Sequence, residues 1–214
     1  MKEKALILFT CVIIAMSISG FVYAQWNDII VVDCTMEFGD LNMGFVEPLI
    51  CTEYYTDPVT GQLFPGEYLN KDVGKPECNY TDHVTDIDTG KQGYKTLTIT
   101  ITNAYPSYKV HCNFTLENLG TLKLHINETE ISDPDGVLTW DPNLKALVDA
   151  GGKPILNITI TPDLVCKYLW ANDDPLTPDV EPVKLQAEIA VHITQNAQEC
   201  QTYFFQVKIT YEVA

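Results

Sequence analysis

The chain has 214 residues and a formal charge of −16, with 29 acidic residues against 13 lysines and no arginine. A surface of that sign repels nucleic acid and acidic lipid, which excludes both as partners. Beyond the first residues no segment approaches the ~20 consecutive apolar positions of a membrane helix, and one domain with a sizeable core accounts for the length.

Residues 1–24 read as a cleaved signal peptide. Lys2 and Lys4 give a positive start, residues 5–18 are apolar but too short to span a bilayer comfortably, and Val22-Tyr23-Ala24 offers a cleavage point before Gln25. Cleavage removes two lysines and one glutamate, leaving 11 lysines against 28 acidic residues and a charge near −17. The mature protein is therefore expected outside the cell, secreted or at the cell surface. Residues 25–36, Trp26-Asn-Asp-Ile-Ile-Val-Val-Asp-Cys-Thr-Met36, follow as an extended apolar strand with a free start, ahead of a domain covering 37–214.

Residues 37–93 are rich in Gly, Pro, Asp and Tyr and weakly periodic, which predicts long loops with two short strands. From Tyr94 onward apolar and polar residues alternate over short runs bounded by turn formers. The spacing predicts strands over 94–104, 108–117, 121–127, 155–161, 185–194 and 202–213. Little helical periodicity separates them, so the fold class is all-β, a jelly roll or β-sandwich with long decorated loops. Alternation turns Tyr108, Val110, Cys112, Phe114 and Leu116 inward, and likewise Tyr203, Phe205, Val207, Ile209, Tyr211 and Val213. Asn118 and Gly120 predict a hairpin joining the second and third of these strands. Asp141 as N-cap, Pro142 at the first position and Gly151 as stop predict one short helix over 142–149. Residues 163–182 form a second irregular, acidic stretch.

Beyond the signal the cysteines number six: Cys34, Cys51, Cys78, Cys112, Cys166 and Cys200. None has zinc-like spacing, so disulfides formed in an oxidising compartment are expected, with fifteen pairings open. Asn79-Tyr-Thr, Asn113-Phe-Thr, Asn127-Glu-Thr and Asn157-Ile-Thr are glycosylation sequons, where chance gives about one or two. Asn113, Asn127 and Asn157 fall on outward pleats. His83 lies in a loop, and His111, His125 and His192 lie on strands, with His111 and His125 sharing a face if the hairpin forms. Asp86-Ile-Asp88-Thr-Gly90, Asp133-Pro-Asp135-Gly136 and Asn172-Asp173-Asp174 resemble calcium ligand runs but complete no EF-hand loop, and Asp-Pro-Asp-Gly is also an ordinary turn. Calcium, within loops or between subunits, is the one cofactor the acidity suggests. No metalloprotease helix motif, nucleophile elbow or phosphate loop is present, so no catalytic residue is assigned and the protein is read as a non-enzyme.

Residues 97–124, with the turn Asn103-Ala-Tyr-Pro-Ser-Tyr108 and the stretch Asn118-Leu-Gly-Thr121, resemble the secreted matrix proteins of the TasA and camelysin type. So do Val191-His-Ile-Thr-Gln195 and the final Tyr203–Ile209 run. Archaeal relatives of that type build bundling pili and cannula-like tubes. The resemblance implies a jelly-roll subunit that polymerises by donating its N-terminal strand to a neighbour, a homopolymer of the kind found in biofilm matrix. Ile29, Ile30, Val31, Val32 and Met36 are then the groove-filling residues of the donor strand, alternate side chains plugging pockets while the backbone completes a sheet. Two alternatives stand beside it: a monomeric adhesin or glycan-binding sandwich using Trp140 and Trp170, and a camelysin-like metalloprotease, which the missing zinc motif disfavours.

Overall fold

The structure, a computed structural model, describes residues 39–56, 62–65, 75–171 and 183–214. The signal segment and the donor strand with Ile29, Ile30, Val31, Val32, Cys34 and Met36 lie outside the described residues, as do Asp173 and Asp174.

Among the described residues twelve strands make one curled antiparallel sheet, an all-β, sandwich-like fold. They are β1 (Met43–Thr56), β2 (Leu63–Pro65), β3 (Lys75–Thr85), β4 (Gln92–Ala104), β5 (Lys109–Asn118), β6 (Leu124–Ser132), β7 (Thr139–Asp141), β8 (Ala146–Val148), β9 (Pro154–Thr161), β10 (Tyr168–Leu169), β11 (Lys184–Ile193) and β12 (Gln201–Val213). The sheet path runs β10-β6-β12-β4-β1-β5-β11-β9-β8-β7, with β3 added on β4 and β2 on β1. It has two limbs, β3-β4-β12-β6-β10 and β2-β1-β5-β11-β9-β8-β7. Among the described residues they meet in the ladder only at the pair Phe45 and Tyr94.

Local sequence explains that narrow junction. Gly93 lies beside it, and a Cβ there would stand 2.9 Å from Leu119 Cδ1 and 3.1 Å from the Phe45 carbonyl oxygen, so glycine lets the limbs approach without displacing either neighbour. Farther along β1, Pro48 has no N–H to give a ladder, and the register of β1 on β5 slips between Val46 and Ile50. The inner faces of both limbs share one core, built on Leu97, Ile99, Phe114, Leu116, Ile189 and Phe205. Fully burying each such side chain stabilises the fold by about 1.5–3 kcal/mol.

The strands expected from Tyr94 onward are present, and the inward set of β5 is buried as alternation requires. Three expectations are corrected. Residues 37–93 carry two long strands, the 14-residue β1 and the 11-residue β3. Their alternation was masked by Pro48 and Gly44 in β1 and by the polar, mostly exposed face of β3. Second, β5 and β6 do not form a hairpin: β5 pairs with β1 and β11, and β6 with β12 and β10. The Asn118–Gly120 turn is spent on another partner, because the Leu119 and Gly120 amides donate to the Asn42 carbonyl and those of Thr121 and Leu122 to that of Asp40. The chain thus crosses between limbs there. Third, residues 142–149 are not helical. Asp141 Oδ1 accepts from the Asn143 and Leu144 amides, Lys145 adopts φ +50°, and the chain reverses into β8, whose Ala146, Leu147 and Val148 are all buried.

Candidate functional site

Three places on the domain concentrate chemistry. The first is a groove of about 270 Å³ where the two limbs come together at their outer strands. Its apolar lining is Ile131 of β6, Ile158 and Ile160 of β9, Trp140 and Leu164, and the charged Glu128, Lys145 and Asp163 line it as well. The loop after β6 and the loop after β9 each cross from one limb to the other, so they frame the groove at its two ends.

Hydrogen bonding along β9 defines one edge of that groove. Ile158 donates its amide away from β11, to the Lys145 carbonyl. An antiparallel strand turns alternate residues the same way, so the N–H and C=O of Ile160 also point outward. Among the described residues β8 pairs with β9 only as far as Asn157, and no strand pairs with the outer side of 159–161. On the facing side β10 pairs with β6 only at Leu124 and His125, leaving the outer side of 128–132 without a described strand. An apolar cleft bordered by open strand edges can accept an extended segment, with backbone hydrogen bonds to the edge and side chains into the cleft.

The second place is the turn after β3. Asp86 is 1% exposed. Its Oδ1 accepts from the Asp88 amide at 3.1 Å and from the Thr89 amide and hydroxyl at 2.9 Å each, whereas buried Oδ2 makes no hydrogen bond of good geometry. Asp40 approaches it from the start of the described chain. Contact with Asp86 first, then burial and the Asp86 charge, hold the Asp40 carboxyl above the usual carboxylate range. Burial pushes Asp86 up as well, but the Thr89 amide and hydroxyl and the Asn42 side chain outweigh it and hold Asp86 below that range. Two neighbouring carboxyls, one of them buried with an oxygen that lacks a hydrogen bond, favour either a shared proton or a hard cation. Of the expected pair, Asp86 is buried beside Asp40, while exposed Asp88 contributes its backbone amide to Asp86 Oδ1; the weak periodicity of 37–93 gives no sign that Asp40 and Asn42 lie opposite.

Asp133 and Asp135 make an ordinary turn. Both Asp133 carboxylate oxygens are occupied by the amides of Asp135, Val137 and Leu138, which leaves that carboxylate committed to its loop. The histidines are not brought together. His111 Nδ1 lies 2.9 Å from Glu188 on β11, and His125 Nδ1 lies 3.5 Å from Glu212 on β12. With β5 and β6 in different limbs, the shared face expected for these two does not exist. His83 is exposed, and burial first, then Lys109, pushes His192 down. Trp140 packs half-buried against the core at the groove, while Trp170 carries the Lys123 ammonium 3.9 Å over its ring. Asn79, Asn113, Asn127 and Asn157 are all exposed, so each sequon is open to a bulky sugar.

The third place is a cysteine cluster. Cys51 on β1 and Cys78 on β3 form a disulfide that ties the two limbs together. Closing a loop of 27 residues stabilises the fold by about 3–4 kcal/mol on chain-entropy grounds. Cys112 is a buried thiol, and Cys166 and Cys200 are exposed thiols. No protein-family model matches this chain, and no curated protein and no solved structure is significantly similar to it.

Proposed function

We propose that this protein is a secreted structural subunit of an extracellular filament, pilus or tube, and that it polymerises by strand addition. Residues 25–36 of one copy add to the groove between β6 and β9 of the next. The observation that carries the reading is the outward-facing backbone of Ile160 beside an apolar cleft lined by Ile131, Trp140, Ile158 and Leu164. Ile29, Ile30, Val31, Val32 and Met36 supply a segment of matching chemistry, apolar and rich in β-branched residues. Donor and acceptor surfaces differ, so growth is open-ended unless the rotation per subunit closes a ring.

In the same reading calcium binds at Asp40 and Asp86, supported by the unsatisfied Asp86 Oδ2. It neutralises charge where the domain's first strand begins, in a chain whose like charges oppose close assembly. The subunit carries sugars at its sequons and performs no catalysis. Electron microscopy of the mature protein, with and without residues 25–36, in calcium and in chelator, tests this. Filaments that disappear on truncation are expected; discrete particles in every condition would overturn the proposal and favour a monomeric adhesin.

A further inference from the structure

The cysteine cluster is unusual in holding three sulfurs where a bridge uses two. Cys51 and Cys112 are direct cross-strand partners of β1 and β5, so their side chains emerge side by side on one face. Cys78 reaches them from the other limb, on β3 beside Ile99 of β4. All three Sγ atoms lie within 4.8 Å of one another. Cys78 Sγ is bonded to Cys51 and stands 3.0 Å from Cys112 Sγ, closer than the ~3.5–4.0 Å of ordinary non-bonded carbon contacts. Cys112 is 0% exposed, whereas Cys51 is only partly buried.

We propose that Cys51, Cys78 and Cys112 form a thiol–disulfide exchange site, in which the bridge moves between Cys51–Cys78 and Cys78–Cys112 and the second state presents Cys51 as a thiol able to capture a disulfide-bearing molecule. Cys112 gives its proton to solvent, and the thiolate attacks Cys78 Sγ. The Cys78–Cys112 bond forms as the Cys51–Cys78 bond breaks. The electron pair leaves on Cys51 Sγ, which takes up a proton, so the exchange needs neither oxidant nor reductant. Capture follows the same chemistry: the Cys51 thiolate attacks one sulfur of an external disulfide and expels the other half as a thiol. Either bridge joins β3 to the opposite limb, so the cross-link survives while the free thiol moves from the core to the half-buried position on β1.

The surroundings set the rate. Burial first, then the charge of Glu188 on β11, push the Cys112 thiol up to about 12. From β3, Tyr80 is itself held protonated by burial and Glu47, so it adds no charge at neutral pH. The thiolate fraction at pH 8 is then about one in ten thousand. Effective molarities of well-placed intramolecular groups reach about 10⁵ M or more, which offsets that scarcity. Exchange should therefore be slow at neutral pH and speed up about tenfold per pH unit. The inference rests on β1, β3 and β5 and is independent of the filament reading.

The test uses the folded, non-reduced mature protein, incubated with N-ethylmaleimide at pH 7, 8 and 9, quenched in acid, digested without reductant and mapped by mass spectrometry. Cys166 and Cys200 should label at once. Cys51 should label slowly, in step with a growing Cys78–Cys112 peptide and about tenfold faster per pH unit. Cys112→Ser and Cys112→Val, checked for native circular dichroism, should abolish Cys51 labelling. In Cys51→Ser, oxidised glutathione should close Cys78–Cys112. Oxidised glutathione added to the unmutated protein should leave one glutathione on Cys51. Cys51 unlabelled after a day at pH 9, equal labelling in both Cys112 variants, or Cys78 and Cys112 both remaining thiols in Cys51→Ser would overturn the proposal. So would recovery of the three cysteines as unbridged ligands of a co-purified metal.

Discussion

Phe114 meets Phe45 edge-on, 5.5 Å between ring centroids, and is 2% exposed. Phe114→Ala is expected to cost about 3–5 kcal/mol, through lost burial and the cavity left behind, read from the urea midpoint of the mature chain. Asp40 and Asp86 give a signed pH dependence. A carboxyl held above its unfolded pKa binds its proton more tightly in the fold, so Asp40 stabilises at acid pH and loses that contribution as pH rises through its folded value. Asp86, held low, contributes above the ordinary carboxylate range and loses its part as pH falls through its own depressed value. In chelator the melting temperature should therefore drop as pH climbs through the mildly acidic range. Calcium at a hundredfold excess over its dissociation constant should restore about 2.7 kcal/mol at pH 7. Asp86→Asn should remove the calcium response; an unchanged response in that variant would place the cation elsewhere. Little of this pair was legible in sequence, because Asp40 and Asp86 are brought together only by the fold.

At the scale of the element, β9 offers a contrast between adjacent positions. The Ile160 amide points outward and makes no hydrogen bond in the β9–β11 ladder, so Ile160→Pro should cost the monomer the packing of that side chain but no ladder hydrogen bond, and should abolish filaments. Thr159 turns its amide the other way, toward Ala190, and Thr159→Pro should destabilise the monomer by about 1–3 kcal/mol. Thermal melts and negative-stain microscopy of both variants check this together, and filaments persisting in Ile160→Pro would remove β9 as the acceptor edge. The strands β4, β5, β9, β11 and β12 were legible because each contains a run in which apolar and polar residues alternate, such as Thr96 to Thr102 in β4 and Leu156 to Thr161 in β9. β1 was not, because Pro48 and Gly44 interrupt its pattern. The short helix expected over 142–149 failed because Asp141 can cap a helix or close an Asx turn with the same oxygen, and tertiary burial of Ala146, Leu147 and Val148 decided for the turn.

Across the whole molecule the dominant quantity is charge. At −16 for the full sequence, copies repel one another, and that repulsion is screened within about 10 Å at 0.1 M salt. Filament growth by light scattering should therefore quicken between 10 and 150 mM sodium chloride in chelator, and salt-independent growth would mean that charge does not limit assembly. Sequence by itself determined the all-β class, the acidity, the alternation that buries Cys112 and the outward pleats that expose Asn113, Asn127 and Asn157, because these depend on local period and composition. Tertiary structure alone decided that β5 and β6 part into separate limbs, that His111 and His125 find different glutamates, that Asp40 meets Asp86, and that three cysteines from β1, β3 and β5 converge. Each of these depends on which strands become neighbours, and strand pairing across tens of residues is set by the competition of whole edges for partners, which no local pattern records.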